Sequence, residues 1–289
     1  LGGTGYERDD IALVPHPTDE VAALVSTRVN VRDSDGYLLS TLTLLDINEK
    51  TTFGLAQAER IQIIGWVGNR LLYVQVVAGS SAPNPKRLRL MSYDYKTTDK
   101  QELAAANSFN DVILAKGNVY YAPSNPYQSG TTLGLIKSSA DGKNKQNIIG
   151  KEVWNIFRTS YDKLDLSIQR DWYEYVLGDS VANKLVGAPA DTTSRIYADS
   201  PDGRHSVRVD KRDGRGVLLL YDTATKEEKA LKTQSGLINP VRWLTNNTLI
   251  YRVNTDQETA DYVINLEGGE ARKVVDVTNI GGIDKWYYY

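Results

Sequence analysis

The residues Ser200-Pro201-Asp202-Gly203-Arg204 form the stretch of sequence that decides the fold. Pro, Asp and Gly are residues that tight turns favour, because Pro presets one backbone angle and Gly accepts a positive φ. The turn stands in a unit of short apolar segments and polar turns, which occupy 195–198, 205–209, 217–221, 222–226 and 229–231. The unit therefore predicts four short antiparallel strands joined by tight turns.

The first turn of this unit recurs along the chain. Its copies are Gly68-Asn69, Gly117-Asn118 and Asn246-Asn247, with a looser copy at 16–19. The second turn gives an independent count, because an acidic residue marks it at positions 46, 94, 141, 179, 222 and 267, which lie 48, 47, 38, 43 and 45 residues apart. A period of about 40–50 residues with four short strands per unit is typical of a β-propeller. The six marks predict an all-β, six-bladed β-propeller of four-stranded blades.

The end of the chain, 280–289, has the pattern of an innermost strand with no further strands after it. We expect this segment to close the ring by supplying the innermost strand of the first blade, since closure removes free sheet edges. The alternative is that Ile11-Ala12-Leu13-Val14 supplies that strand and the C-terminus is a tail. The predicted domain organisation is a linker or entering strand over 1–18 and one propeller domain over 19–289.

The unit at 195–231 resembles the WD40-like PD40 repeat. That repeat builds TolB-like propellers and the propeller of the dipeptidyl peptidase IV and prolyl oligopeptidase group. The resemblance implies a ring of six or seven blades, often in the bacterial envelope, that binds peptides or proteins at a funnel. The peptidase members also need an α/β-hydrolase domain, which these 289 residues do not contain.

Composition excludes several classes of function. The chain has 41% apolar and 24% charged residues with a net charge of -2, so the clustered cations that nucleic acid requires are not expected. It has no cysteine, which excludes disulfides, thiolate zinc sites and cysteine nucleophiles. No apolar run is long enough for a spanning helix. Because the chain begins with Leu1 rather than Met, we expect a piece of a longer protein, with room upstream for a signal or membrane anchor.

No catalytic or metal-binding constellation stands out in the sequence. His16 and His205 are far apart in the chain and are interpreted as turn or surface residues. The segment 178–182 lacks the second Gly of a nucleophile elbow, and the acidic turn at 32–36 lacks the later Glu of a calcium loop. We therefore predict no catalytic residues, no metal and no cofactor.

Topology supplies the candidate binding residues. Innermost strands line the channel of a propeller, and polar residues recur along their predicted positions. The candidates for the channel mouth are Asn110, Asp111, Asn155, Arg158, Arg195, Asp199, Asn239, Arg242 and Asp284. A second candidate is an aromatic partner patch beside the longer loop 123–131, formed by Tyr120, Tyr121 and Tyr127.

The function that fits these features best is a non-catalytic binding or scaffold propeller of the cell envelope or extracellular space that recognises a protein, peptide or glycan. We expect a monomer with a protein or peptide partner, no nucleic acid and no membrane insertion in this segment. Two alternatives remain open. One is an enzyme of the hydrolase or lyase type with a metal at the channel mouth, and the other is a regulatory propeller excised from a peptidase.

Overall fold

The structure is a computed structural model that describes residues 10–33, 36–77, 88–124, 134–267, 270–276 and 278. In these residues the chain forms 24 strands and no helix. The strands assemble into six antiparallel sheets of four strands each, and within each sheet neighbours in sequence are neighbours in space. The predicted six-bladed propeller with four-stranded blades is therefore confirmed.

Each sheet is one blade, numbered in chain order. Blades one to three contain β1 (Asp10–Pro15), β2 (Val21–Arg32), β3 (Leu38–Asp46), β4 (Thr51–Ala58), β5 (Arg60–Val67), β6 (Arg70–Val76), β7 (Leu88–Asp94), β8 (Lys100–Ala106), β9 (Ser108–Ala115), β10 (Asn118–Ser124), β11 (Leu135–Ser139) and β12 (Gln146–Ile149). Blades four to six contain β13 (Asn155–Phe157), β14 (Lys163–Ile168), β15 (Asp171–Val176), β16 (Asn183–Lys184), β17 (Ala198–Asp199), β18 (His205–Arg212), β19 (Arg215–Asp222), β20 (Glu228–Gln234), β21 (Leu237–Thr245), β22 (Thr248–Asn254), β23 (Thr259–Asn265) and β24 (Arg272–Asp276). First strands of successive blades contact one another, as β5 does with β9 and β9 with β13, which identifies them as the innermost strands.

The stretch Ser200–Arg204 is the turn that the sequence predicts between β17 and β18. Gly203 has a φ of +70°, and its N–H donates to Ser200 O at 2.9 Å. The Ser200 hydroxyl oxygen accepts from His205 N–H at 2.9 Å, and Asp202 Oδ1 accepts from Arg204 N–H at 3.1 Å. Short polar side chains thus satisfy the backbone donors that the turn leaves unpaired, which is why these residue types recur at this joint.

Apolar clusters join most neighbouring blades. In the described residues, four clusters lie between blades one and two, two and three, three and four, and five and six. None of these four clusters joins blades four and five. The described contacts of that seam instead include a buried arginine and several tyrosines. Its chemistry therefore differs from that of the four seams that contain these clusters.

Two tryptophans repeat one contact between blades. Trp66 Nε1 donates to Val14 O of blade one at 3.1 Å, and Trp243 Nε1 donates to Ala198 O of blade five at 2.9 Å. Each carbonyl belongs to the innermost strand of the preceding blade and lies two residues before the first turn of that blade. The indole ring packs in the seam while its one donor is satisfied, as buried tryptophan requires.

Blade one takes all four of its described strands from the N-terminal part of the chain, with β1 innermost. This strand begins at Asp10, inside the segment interpreted as a linker or entering strand, and it contains Ile11–Val14, the innermost strand of the alternative interpretation. The predicted closing strand, 280–289, lies outside the described residues, so closure by the C-terminus stays a prediction. Between blades six and one, Arg242 Nη2 donates to Leu13 O at 3.1 Å.

Candidate functional site

The innermost strands run between two faces of the propeller. We call the face where they begin the entry face, represented by Asn110 and Trp154, and the face where they end the turn face, represented by Ser200–Arg204. Blade four carries notable side chains at both ends of its innermost strand β13. Trp154 directly precedes this strand, and Arg158 directly follows it.

On the entry face, Asn110 of β9 reaches across to blade four, where its side-chain amide donates to Val153 O. The neighbouring Asp111 is partly buried, and this burial raises the pKa of its carboxyl although Oδ1 accepts from Val112 N–H at 2.7 Å. Asn155 is exposed on β13. The structure therefore places three of the predicted residues on two neighbouring blades.

Trp154 is the feature of the entry face that sequence reasoning missed. The residue is 51% exposed, whereas its backbone N–H donates to Ser167 O at 2.8 Å. The backbone is thus fixed by the sheet while the indole stays in solvent. The sequence offered no local signal for this exposure, and the other tryptophans of the described chain are partly or fully buried.

On the turn face, Arg158 lies between three blades. Its side chain is 4% exposed. Nη2 donates to Tyr161 O at 3.0 Å, and Nη1 approaches Leu114 O of blade three at 3.4 Å. The guanidinium carbon lies 4.5 Å from the ring centroid of Tyr197 and 5.7 Å from that of Tyr161. Burial lowers the pKa of Arg158, and the more distant Asp199 opposes that change.

Tyr161 is the centre of an aromatic group at this seam. Its ring stacks on that of Tyr221 with centroids 4.5 Å apart and meets Tyr197 edge-on at 5.9 Å. Lys116 Nζ lies 5.9 Å from the same ring and donates to Leu177 O at 3.0 Å. Burial raises the pKa of Tyr161 to about 12, so this tyrosine is a neutral phenol at physiological pH.

The segment 194–197 connects blades four and five along this seam. Arg158 N–H donates to Ser194 Oγ at 3.2 Å, and Arg195 N–H donates to Arg158 O at 2.9 Å. The Arg195 guanidinium donates to Thr159 O and to Asp191 Oδ2. Backbone donation from Thr193 and the Arg195 side chain lower the pKa of Asp191 to about 2. We call the segment 194–197 the strap.

The predicted site residues do not form one site. Arg158, Arg195 and Asp199 lie together at the seam of blades four and five, and Asp199 Oδ1 accepts from Ser206 Oγ at 2.7 Å. Arg242 belongs to the link between blades six and one. The side chain of Asn239 and all of Asp284 lie outside the described residues.

Two of the three tyrosines of the predicted partner patch are not at the surface. Tyr120 and Tyr121 are fully buried. Tyr120 belongs to the core between blades three and four, and Tyr121 to the core between blades two and three. Consecutive strand residues point to opposite faces of a blade, so both tyrosines pack against neighbouring blades and neither offers side-chain surface to a partner. Tyr127 lies outside the described residues.

The two histidines lie in seams between blades. His16 is buried, and its Nε2 donates to Gly68 O at 2.9 Å while Nδ1 accepts from Asp19 N–H at 2.9 Å. His205 stacks on Trp243 of blade six with centroids 6.3 Å apart. Within the described ranges, no three His, Asp or Glu side chains converge in a way that would hold a metal ion. Nor does any helix there have the length and apolar character needed to cross a bilayer.

Comparison with known proteins shows the fold. No family model matches the chain, and no curated protein matches it. Among solved structures, the β-propeller domain of the Trilobed protease from Pyrococcus furiosus is similar with a TM-score of 0.56 and 13% identity, over 92% of this chain and 83% of that one. Acylaminoacyl peptidase from Pyrococcus horikoshii is similar with a TM-score of 0.57 and 12% identity, over 94% of this chain and 47% of that one.

TolB from Acinetobacter baumannii is also similar, with a TM-score of 0.46 and 12% identity over 91% of this chain and 65% of that one. The chain spans about half the length of the acylaminoacyl peptidase. At these identities the likeness concerns the fold alone. The propeller fold implied by the resemblance to the PD40 repeat is confirmed.

Proposed function

We propose that this chain is a non-catalytic recognition module that binds a protein or peptide partner on its entry face. The observation that carries the proposal is Trp154, which is 51% exposed on a backbone held by the sheet. Tryptophan is enriched among the residues that dominate binding energy, because a rigid ring offers a large contact area at a small cost in entropy.

The surroundings of Trp154 support this role. The amide of Asn155 and the partly buried carboxyl of Asp111 lie on the same two blades, and Lys151 is exposed and donates to the Tyr173 hydroxyl at 2.9 Å. An aromatic anchor with polar groups around it is the usual anatomy of a recognition surface. The polar groups would orient a partner whose apolar group covers the indole.

A peptide array and a glycan array, probed with the purified chain, test the proposal. We expect peptide ligands whose affinity falls at least about tenfold in Trp154→Ala, as for a binding hot spot. Phe53→Ala is the matched control, because Phe53 is 56% exposed on the outer strand β4 of blade one. Peptide binding that Trp154→Ala leaves unchanged, binding of glycans alone, or no ligand on either array would each contradict the proposal.

A second candidate is a regulatory propeller of a peptidase. The structural similarity to acylaminoacyl peptidase favours this candidate. The similar region spans 47% of that peptidase chain. The full-length gene tests it: a hydrolase domain joined to this propeller supports the candidate, and a gene that encodes a propeller alone contradicts it.

For location we propose the cell envelope or the extracellular space, where PD40-type propellers often occur, and a monomeric state. Fractionation of cells that express the full-length protein tests the location, and recovery from the cytosol would contradict it. Size-exclusion chromatography with light scattering tests the monomer.

A further inference from the structure

We infer that the seam between blades four and five binds a single carboxylate group, with Arg158 as the cation that receives it. The site lies on the turn face and does not rest on the proposed function. Three strand residues lie between Trp154 and Arg158, so four steps of about 3.3 Å place them about 13 Å apart along the chain.

The first observation is a buried cation without an ion pair. Arg158 is 4% exposed, and its guanidinium has five N–H groups, of which two donate to carbonyl oxygens of Tyr161 and Leu114. Its Nε is buried and has no hydrogen-bond partner among the described residues. No described carboxylate forms an ion pair with it. Buried guanidinium groups are normally paired, so this one has unused capacity for an anion.

The second observation is a further cation beside the same rings. Lys116 Nζ lies over the ring of Tyr161, as Arg158 does. Burial lowers the pKa of Lys116, and repulsion from Lys226 and Arg158 lowers it further, while Asp162 and Asp179 oppose this. Among the described residues, neither Asp162 nor Asp199 forms an ion pair with these cations; Asp162 accepts from Ser160, and Asp199 accepts from Ser206. The positive charge of the seam is therefore compensated only at a distance.

The geometry of the guanidinium favours a carboxylate, because Nε is without a partner and each Nη has a second N–H besides the one that donates to a carbonyl oxygen. A guanidinium presents Nε and an adjacent Nη as two parallel donors, and their spacing matches the two oxygens of one carboxylate. Arg158 is buried beside the rings of Tyr161 and Tyr197, and a charge-assisted hydrogen bond is stronger in such a low-dielectric environment. A carboxylate supplied by an acidic peptide and one supplied by a small free acid share this chemistry.

The strap controls access to this site. It lies against Arg158 through the bonds of Ser194 and Arg195 to the Arg158 backbone, and its residues Ser194 and Ile196 are exposed. Because Nε is buried in the present arrangement, a carboxylate reaches it when the strap moves aside. Arg195 N–H loses its acceptor, Arg158 O, in that movement and becomes a reporter of it.

Thermal unfolding at constant ionic strength tests the site, with sodium acetate replacing sodium chloride. Ligand linkage predicts that the midpoint rises by about 2–3 °C for each tenfold increase in acetate above its Kd. We expect no rise in Arg158→Met and a smaller rise in Lys116→Gln. Arg204→Gln is the matched control, because Arg204 is a cation of the same face with an 81% exposed side chain, and it should behave like the wild type.

Further probes separate the sources of the carboxylate and keep the test decisive. An acetylated peptide amide with one Glu is compared with its Gln counterpart, and phosphate is tested separately. Stabilisation by the Glu peptide but not by acetate assigns the site to peptides.

If Arg158→Met does not fold, the wild-type Arg158 Nε–H NMR signal and hydrogen exchange at Arg195 N–H should both change on adding acetate. Equal stabilisation by chloride or phosphate, an equal loss in Arg204→Gln, or no response to any carboxylate would overturn the inference.

Discussion

The ion pair between Arg252 and Asp261 gives the sharpest stability prediction. The two residues face each other across β22 and β23 of blade six. Arg252 Nε donates to Asp261 Oδ1 at 2.8 Å, and Nη2 donates to Oδ2 at 3.0 Å. Their side chains are 2% and 7% exposed. The pair is therefore bidentate and removed from solvent.

The magnitude follows from what each single substitution leaves behind. Two charges about 4 Å apart attract by about 4 kcal/mol at an effective dielectric constant of about 20. Asp261→Asn removes the carboxylate that faces the buried Arg252 charge, and Arg252→Met removes the guanidinium that faces the buried Asp261 charge. Breaking a buried pair in this way costs about 3–5 kcal/mol. The double variant should lose at least about 2 kcal/mol less than the two single losses combined, because the pair is broken only once.

The assay is urea unfolding followed by tryptophan fluorescence, since urea leaves ionic interactions unscreened whereas guanidinium chloride does not. The matched control is the cross-strand pair of Arg89 and Glu102 in blade two, at 3.1 Å with side chains 33% and 45% exposed. Glu102→Gln should cost at most about 1 kcal/mol. A loss below about 1 kcal/mol for Asp261→Asn, or no coupling between the two substitutions, would refute this account of the pair.

Three further predictions concern packing, pH and ring closure. A Cβ on Gly216 would lie 2.1 Å from Leu237 O in the seam of blades five and six, so Gly216→Ala should cost about 2 kcal/mol or more in urea unfolding. Gly54→Ala, where a Cβ meets nothing within 4 Å, should cost under about 0.5 kcal/mol, and equal losses would contradict the packing argument. The Ser139 hydroxyl and then Lys143 N–H lower the pKa of Asp141 from 3.8 to about 2, so the stabilisation is present above pH 4 and is lost as pH falls through 2. Asp141→Asn should therefore reduce the loss of stability between pH 4 and 2, and an NMR titration of the wild-type carboxyl with a midpoint near 3.8 would argue against it. Deletion of 281–289 should lower the melting temperature by many degrees if these residues close the ring, and unchanged melting would show that they form a tail.

The architecture was available from the sequence because it depends on local chemistry. Residues such as Gly203 and Asp202 satisfy the needs of a turn within a few positions of themselves, and the spacing of such turns counts the blades. Strand register then follows from the turns. The number of blades and their four-stranded make-up were therefore predicted from the residues in order.

The candidate sites were predicted only in part, because they depend on which blades meet. Arg158, Arg195 and Asp199 were among the predicted residues, but their grouping at one seam required the path of the strap from blade four to blade five. Tyr120 and Tyr121 read as a surface patch in the sequence, whereas neighbouring blades bury both. Trp154 was missed because nothing local distinguishes an exposed tryptophan from Trp66 and Trp243, which pack between blades.

The sequence by itself determined the repeat, the strand pairing and the turns, since each arises from contacts between residues close in the chain. Tertiary structure alone decided which side chains are exposed and which charges lie without a partner. Burial is set by the neighbouring blade, whose residues lie about 40 or more positions away, and no local pattern reports that contact. For this reason the turn Ser200–Arg204 was enough to predict the fold. The exposed Trp154 and the buried Arg158, which carry the two functional proposals, could be identified only from the assembled blades.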